Sequence, residues 1–102
     1  MNEMEAGGKR MVDSNICREA IEHFGDSYML NVCMEEPSEL IQAISKLRRE
    51  GENQPRICSL CEEIADNYII LEELKQLYEL DPGEIDEWIR IKQERTMQRI
   101  SI

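Results

Sequence analysis

Gly51-Glu52-Asn53-Gln54-Pro55 separates the two longest helical patterns of the chain, and its reading decides the fold. Glycine, asparagine and proline packed into so short a span are turn chemistry. On either side lie two acidic stretches of similar form, Glu35-Glu36-Pro37-Ser38-Glu39 and Glu62-Glu63-Ile64-Ala65-Asp66. Residues three or four apart share a helix face with Cβ atoms about 5–6 Å apart, so Glu36 with Glu39, and Glu63 with Asp66, are neighbouring carboxylates. Gly51 lies midway between positions 36 and 66, and midway between 39 and 63. An antiparallel hairpin folded there sets Glu36 level with Asp66 and Glu39 level with Glu63. Carboxylates facing one another in this way call for a cation.

Outward from the turn, helical periodicity continues to both ends. The segment before it is expected to be helical from Asp26 or Ser27 to about Glu50, with Leu30, Cys33, Met34, Leu40, Ile41, Ala43, Ile44 and Leu47 on its apolar stripe. Glu36 falls on that stripe and Glu39 flanks it, where an unpaired buried charge is costly. Pro37 removes a backbone bond and disfavours the α region at Glu36, so a kink or restart is expected, freeing the Cys33 carbonyl. Pro55 suits the start of the next helix, expected to reach about Leu80. One of its stripes runs through Ile57, Leu60, Ile64, Leu71, Leu74 and Tyr78. A second takes Ile69, Ile70 and Leu77, with Glu63 and Asp66 on its extension. So wide an apolar arc implies burial on more than one side.

A shorter helix precedes these, capped by Asp13 or Ser14, striped by Ile16, Cys17, Ala20, Ile21 and Phe24, and ended by Gly25. A last helix starts at Asp81-Pro82-Gly83-Glu84, with Asp81 at N-cap and Pro82 at N1, and runs to about Arg99. Residues 1–12 lack periodicity and read as a mobile tail, leaving residues 13–102 as one helical domain. The expected fold class is all-α, a bundle of four helices.

The balance of 22 acidic against 12 basic residues, net charge −10, argues against DNA or RNA duplex binding. It leaves open a single nucleotide held through a metal ion. No run of apolar residues is long enough to span a membrane, and no signal-peptide pattern opens the chain; a cytoplasmic location is expected. Cys58-Ser59-Leu60-Cys61 stands alone as a C-x-x-C inside a helical pattern, with His23 the sole histidine. Zinc would need further ligands, so the four cysteines read as reduced structural thiols. Grouped carboxylates without thiol or imidazole select a hard cation, Mg²⁺ with Mn²⁺ as a substitute. A di-iron bundle site would require Glu-x-x-His motifs, which are missing. Glu72-Glu73 and Asp86-Glu87 read as ordinary acidic pairs on solvated faces.

Segment 20–102 resembles the MazG-like all-α nucleoside triphosphate pyrophosphohydrolases, whose signature is E-E-x-x-E, a variable gap, then E-x-x-D. Here it reads Glu35-Glu36-x-x-Glu39 and Glu63-x-x-Asp66, in the context Ala20-Ile21-Glu22-His23-Phe24-Gly25, Glu39-Leu40-Ile41-Gln42-Ala43 and Lys92-x-x-Arg95. The resemblance implies Mg²⁺-dependent hydrolysis of a (deoxy)nucleoside triphosphate to monophosphate and pyrophosphate, serving nucleotide-pool house-cleaning. Glu36, Glu39, Glu63 and Asp66 would be metal ligands, with Glu35 and Glu62 orienting or activating the attacking water. Lys46, Arg49, Lys92 and Arg95 are candidates to neutralise pyrophosphate, and Phe24, Tyr28, Tyr68 and Trp88 to stack on the base. The family implies a homodimer or homotetramer. The alternative is a catalytically silent helical module that binds nucleotide or protein. Pro37, and Asn67 in place of an aliphatic residue, depart from the family pattern.

Overall fold

Four helices follow one another with short connections in the computed structural model, which describes residues 11–101: α1 (Ser14–Phe24), α2 (Asp26–Glu50), α3 (Gln54–Leu77) and α4 (Pro82–Ile100). The described residues contain no strand, and the fold is all-α. Of the expected tail, residues 1–10 lie outside the described residues; Met11 and Val12 are exposed.

Each boundary has a local cause. The Asp13 carboxylate accepts from the backbone N–H groups of Asn15 and Ile16 and so caps α1. Gly25 alone joins α1 to α2. Its φ of 88° and ψ of 157° lie in a region essentially confined to glycine, and its N–H donates to the Ile21 carbonyl while its own carbonyl accepts from Met29. Gly51 repeats this conformation at the end of α2, with its N–H on the Leu47 carbonyl. Asn53 then caps α3 by accepting from the Arg56 N–H. The Arg56 guanidinium closes the turn by donating to the Glu50 and Gly51 carbonyls at 2.8 and 2.7 Å.

Two expected features are corrected. The restart at Pro37 does not occur: α2 runs unbroken from 26 to 50 with the proline inside it. The third helix stops at Leu77, short of Leu80, because Glu79 takes a left-handed φ of 50°. The Leu80 N–H reaches back to the Lys75 carbonyl and the Glu79 N–H to that of Gln76, a Schellman closure made without glycine.

α2 and α3 pack along each other as the expected hairpin, and α1 lies against both. The core between them is thin: Cys17 from α1, Met29 and Cys33 from α2, and Ile70 from α3. The two thiols donate to the α3 backbone, Cys17 to the Ile69 carbonyl and Cys33 to that of Ile70. Burial pushes the Cys17 thiol up to about 11 and raises Cys33 as well, so both are inert, structural thiols. Cys58 and Cys61, by contrast, are exposed, so the expected structural role fits only the first two cysteines.

α4 is built differently. Asp81 caps it through the Gly83 N–H and Pro82 opens it, as expected, yet it buries no residue. The bundle within one chain is therefore the packing of α1, α2 and α3, and Trp88, Ile89 and Met97 of α4 stay about half exposed or more. No described helix is long and apolar enough to cross a membrane.

Candidate metal centre

The hairpin brings the two acidic stretches face to face. Carboxylate oxygens of Glu36, Glu39 and Glu63 lie within 4.8 Å of one another. Asp66 falls outside that trio but sits against Glu36, close enough for the two carboxyls to share a hydrogen bond, as Glu39 and Glu63 do. These are the cross-helix pairs that folding about Gly51 implies.

No basic side chain among the described residues enters the group. Burial, then the charges of Asp66, Glu39 and Glu63, raise the Glu36 carboxyl from 4.5 to about 7. Glu63 is raised by burial and by Glu39, Asp66 and Glu62. One oxygen of Glu36 and one of Glu63, each Oε2, are shielded from solvent and have no hydrogen-bond partner. Orphaned acceptors of this kind are what a cation would satisfy. An all-oxygen donor set suits Mg²⁺ or Mn²⁺ and offers nothing to a soft metal. The residues present therefore fit a hard divalent ion.

Asn67 braces the centre. Its Nδ2 donates to the Glu63 carbonyl at 2.7 Å and across the hairpin to the Glu36 carbonyl at 3.2 Å. An aliphatic residue could make neither bond. The departure at Asn67 thus ties together the backbones that carry two of the carboxylates, immediately before the helix-interior proline.

The remaining expected site residues are distributed over the surface. Glu35 and Glu62 flank the trio and are exposed. Glu36 and Asp66 also line a cleft of about 260 Å³ between α1, α2 and α3, together with Phe24 and Tyr28. Those two rings stack on each other at 4.9 Å and are each about half exposed. Tyr68 lines a different cleft, beside Met11 and Ile16, and Lys46 a third, beside the Gly51 turn. Arg49 is exposed, and on α4 Arg95 is exposed while Lys92 lies over the Trp88 ring at 5.9 Å. None of these five borders the cleft that holds Glu36 and Asp66.

One expectation about the acidic residues is overturned. Glu73 does not lie on a solvated face: at 5% exposure it is the one buried charged residue among those described, and burial raises its carboxyl. Its neighbour Glu72 is half-buried, held by Lys75 at 3.4 Å and by the Gln76 amide. The signal lay in the stripe, since 66, 70, 73 and 77 follow helical spacing on one face of α3.

Neither protein-family models, nor curated proteins, nor solved structures yield a match to this chain.

Proposed function

We propose that this chain is a Mg²⁺-dependent nucleoside triphosphate pyrophosphohydrolase of the MazG-like all-α type, active in clearing (deoxy)nucleoside triphosphates. The observation that carries the reading is the meeting of E-E-x-x-E and E-x-x-D across the hairpin, with two shielded oxygens and no cationic side chain among the described residues. Glu36, Glu39, Glu63 and Asp66 would hold the metal. When bound, Mg²⁺ supplies the positive charge that lets a triphosphate approach an anionic site, and it acidifies water. Glu35 and Glu62, exposed beside the trio, would accept a proton from a water molecule. That water's oxygen forms a bond to the α-phosphorus while the bond from α-phosphorus to the bridging oxygen breaks, and pyrophosphate departs.

The exposed apolar residues of α2, α3 and α4, among them Ile41, Leu71 and Trp88, support a homodimer or homotetramer. Assembly would also account for the absence of Lys46, Arg49, Tyr68, Lys92 and Arg95 from the cleft within one chain. The same absence favours, as the second reading, a silent module that binds nucleotide without turnover. Pyrophosphate release from a panel of (deoxy)nucleoside triphosphates, with Mg²⁺ and with EDTA, decides between them. Metal-dependent release supports the hydrolase; binding without release from any triphosphate supports the module.

A further inference from the structure

Three carboxyls line the cleft between α1, α2 and α3, those of Glu36, Asp66 and Glu73, and no described lysine, arginine or histidine lines it with them. The proposed hydrolysis uses the first two and leaves Glu73 without a task. Glu73 is 5% exposed and has no hydrogen-bond or ion-pair partner among the described residues. A carboxyl with this little solvent and no donor is costly to keep, and an apolar residue in its place would relieve the cost. A metal ion does not answer for it: the oxygens that converge belong to Glu36, Glu39 and Glu63, and Glu73 is not among them. The rest of the lining, Phe24, Tyr28 and Ile70 included, is largely aromatic and aliphatic, a poor setting for a hydrated ion.

Register on α3 gives the shape of a matching ligand. Asp66, Ile70 and Glu73 share one helix face and all line the cleft. The two acids stand two turns apart, about 10 Å along the axis. The order is acid, aliphatic, acid, so the complement is a chain of methylenes with a cation at each end. An extended chain advances about 1.2 Å per bond, so about eight methylenes set two terminal nitrogens about 11 Å apart. Phe24 and Tyr28, stacked at 4.9 Å and each about half exposed, add aromatic surface that attracts an ammonium group. The net charge of −10 draws such a ligand toward the protein.

We propose that this cleft binds a linear aliphatic diamine or polyamine, with one terminal ammonium on Glu73, the other on Asp66 or Glu36, and methylenes against Ile70. The inference goes beyond the nucleotide reading and holds whether or not the chain turns a nucleotide over. An ammonium group carries positive charge and donates hydrogen bonds without accepting any. It therefore supplies to Glu73 both the counter-ion and the donor that the described residues withhold. A monoamine of equal length serves one carboxyl and sets its methyl end against the other, which gains nothing. Charge at both ends is thus the property that the cleft reads.

The test is calorimetric titration of α,ω-diaminooctane, spermidine and octylamine into wild type, Glu73→Gln, Glu73→Leu and Glu87→Gln. It is run at physiological salt in metal-free buffer, because Mg²⁺ would claim Glu36 and Asp66. Diaminooctane should bind wild type at least about tenfold tighter than octylamine, the worth of a hydrogen bond to a charged group. Spermidine, whose terminal nitrogens are equally far apart, should share that advantage. Glu73→Gln and Glu73→Leu should each weaken diaminooctane at least about tenfold, with melting curves to check that they fold. Glu87→Gln removes the same charge from the exposed face of α4 and should change nothing. Octylamine binding as tightly as diaminooctane overturns the proposal on wild type alone, and points instead to a single ammonium such as a lysine side chain carries. Diamine binding that survives both Glu73 variants, or that Glu87→Gln weakens equally, is attraction to the acidic surface at large and overturns it too. So does the failure of both diaminooctane and spermidine to bind.

Discussion

Two groups of acidic residues at helical spacing are handled in opposite ways. On α4, Arg90 donates to Glu87, three residues before it, and to Glu94, four residues after it, and its hydrogen bonds lower the Glu87 carboxyl below its ordinary value. Between α2 and α3, Glu36, Glu39, Glu63 and Asp66 face one another with no such partner among the described residues, and Glu36 and Glu63 are raised. The first arrangement is a solvated face that neutralises itself. The second leaves its carboxylates opposing one another's ionisation. Spacing alone does not separate the two; the difference is whether the chain supplies its own counter-ion.

The largest expected effect breaks this comparison directly. Glu63→Gln keeps the shape of the side chain and removes one charge from the trio, so Mg²⁺-dependent pyrophosphate release should fall by at least about 100-fold, as loss of a stabilising group at a metal or oxyanion site does. Glu87→Gln removes the same charge from α4 and should leave the rate unchanged. Equal losses in the two variants would mean that the α2–α3 carboxylates are not the metal centre.

Stability should register the same contrast. At a hundred times its dissociation constant, Mg²⁺ stabilises by about 2.7 kcal/mol, or on the order of 10–20 °C in melting temperature for a domain of this size. EDTA should reverse the gain. The metal-free protein should also respond to pH through Glu36, raised from 4.5 to about 7. Between those values the folded state binds more protons than the unfolded one, so stability is greatest below about 4.5 and declines as pH rises to about 7. Asp66, Glu39 and Glu63 all face Glu36 and all oppose its ionisation. Saturating Mg²⁺ should flatten that decline in a melting-temperature series, and Glu36→Gln should flatten it without metal. A metal-free protein whose stability climbs across this range would contradict the frustrated cluster.

Much of this was legible from the residues because it depends on local chemistry. Asp13, Gly25, Gly51 and Asp81 mark helix ends whatever the tertiary structure, and the pairing across Gly51 follows once two helices are joined by so short a turn. Glu73 was misread because it was taken with Glu72 as one solvated pair, although 66, 70, 73 and 77 share one face of α3 and α1 packs against that helix. Pro37 was expected to kink or restart α2, but the helix does not restart, because α2 packs on α3 and that packing offsets the lost backbone bond. The end of α3 at Leu77 rests on Glu79 in a conformation that its side chain gives no reason to expect. The isolation of α4 was likewise hidden, since its apolar residues look no different from those of a packed helix.

Asn67→Leu provides a sharper, smaller probe of the centre. It restores an aliphatic residue and removes both the 2.7 Å and the 3.2 Å donor bonds to the Glu63 and Glu36 carbonyls. The loss should be about 1–2 kcal/mol by urea denaturation, since each neutral hydrogen bond contributes about 0.5–1.5 kcal/mol. Mg²⁺ affinity should weaken as well, because the two carboxylates lose their common brace. An affinity left unchanged would show that the trio is positioned by helix packing alone.

The smallest effect is expected where the two regions join. Glu79 holds a φ of 50° in the Schellman closure that ends α3 and leads into α4. An L-residue with a Cβ pays about 1–2 kcal/mol there, against which glycine costs about 0.5–1 kcal/mol in unfolded-chain entropy, so Glu79→Gly should stabilise by about 0.5–1 kcal/mol. The gain should appear in the melting of α1–α3, whose packing holds the end of α3 in place. Hydrogen exchange at low protein concentration should show α4 amides exchanging faster than those of α2 and α3 in both proteins, because α4 buries nothing of its own. Protection of α4 that rises with protein concentration would place its apolar residues in a contact between copies. Protection equal to that of α3 at every concentration would instead mean that α4 packs within the chain, and the division between the two regions would fall.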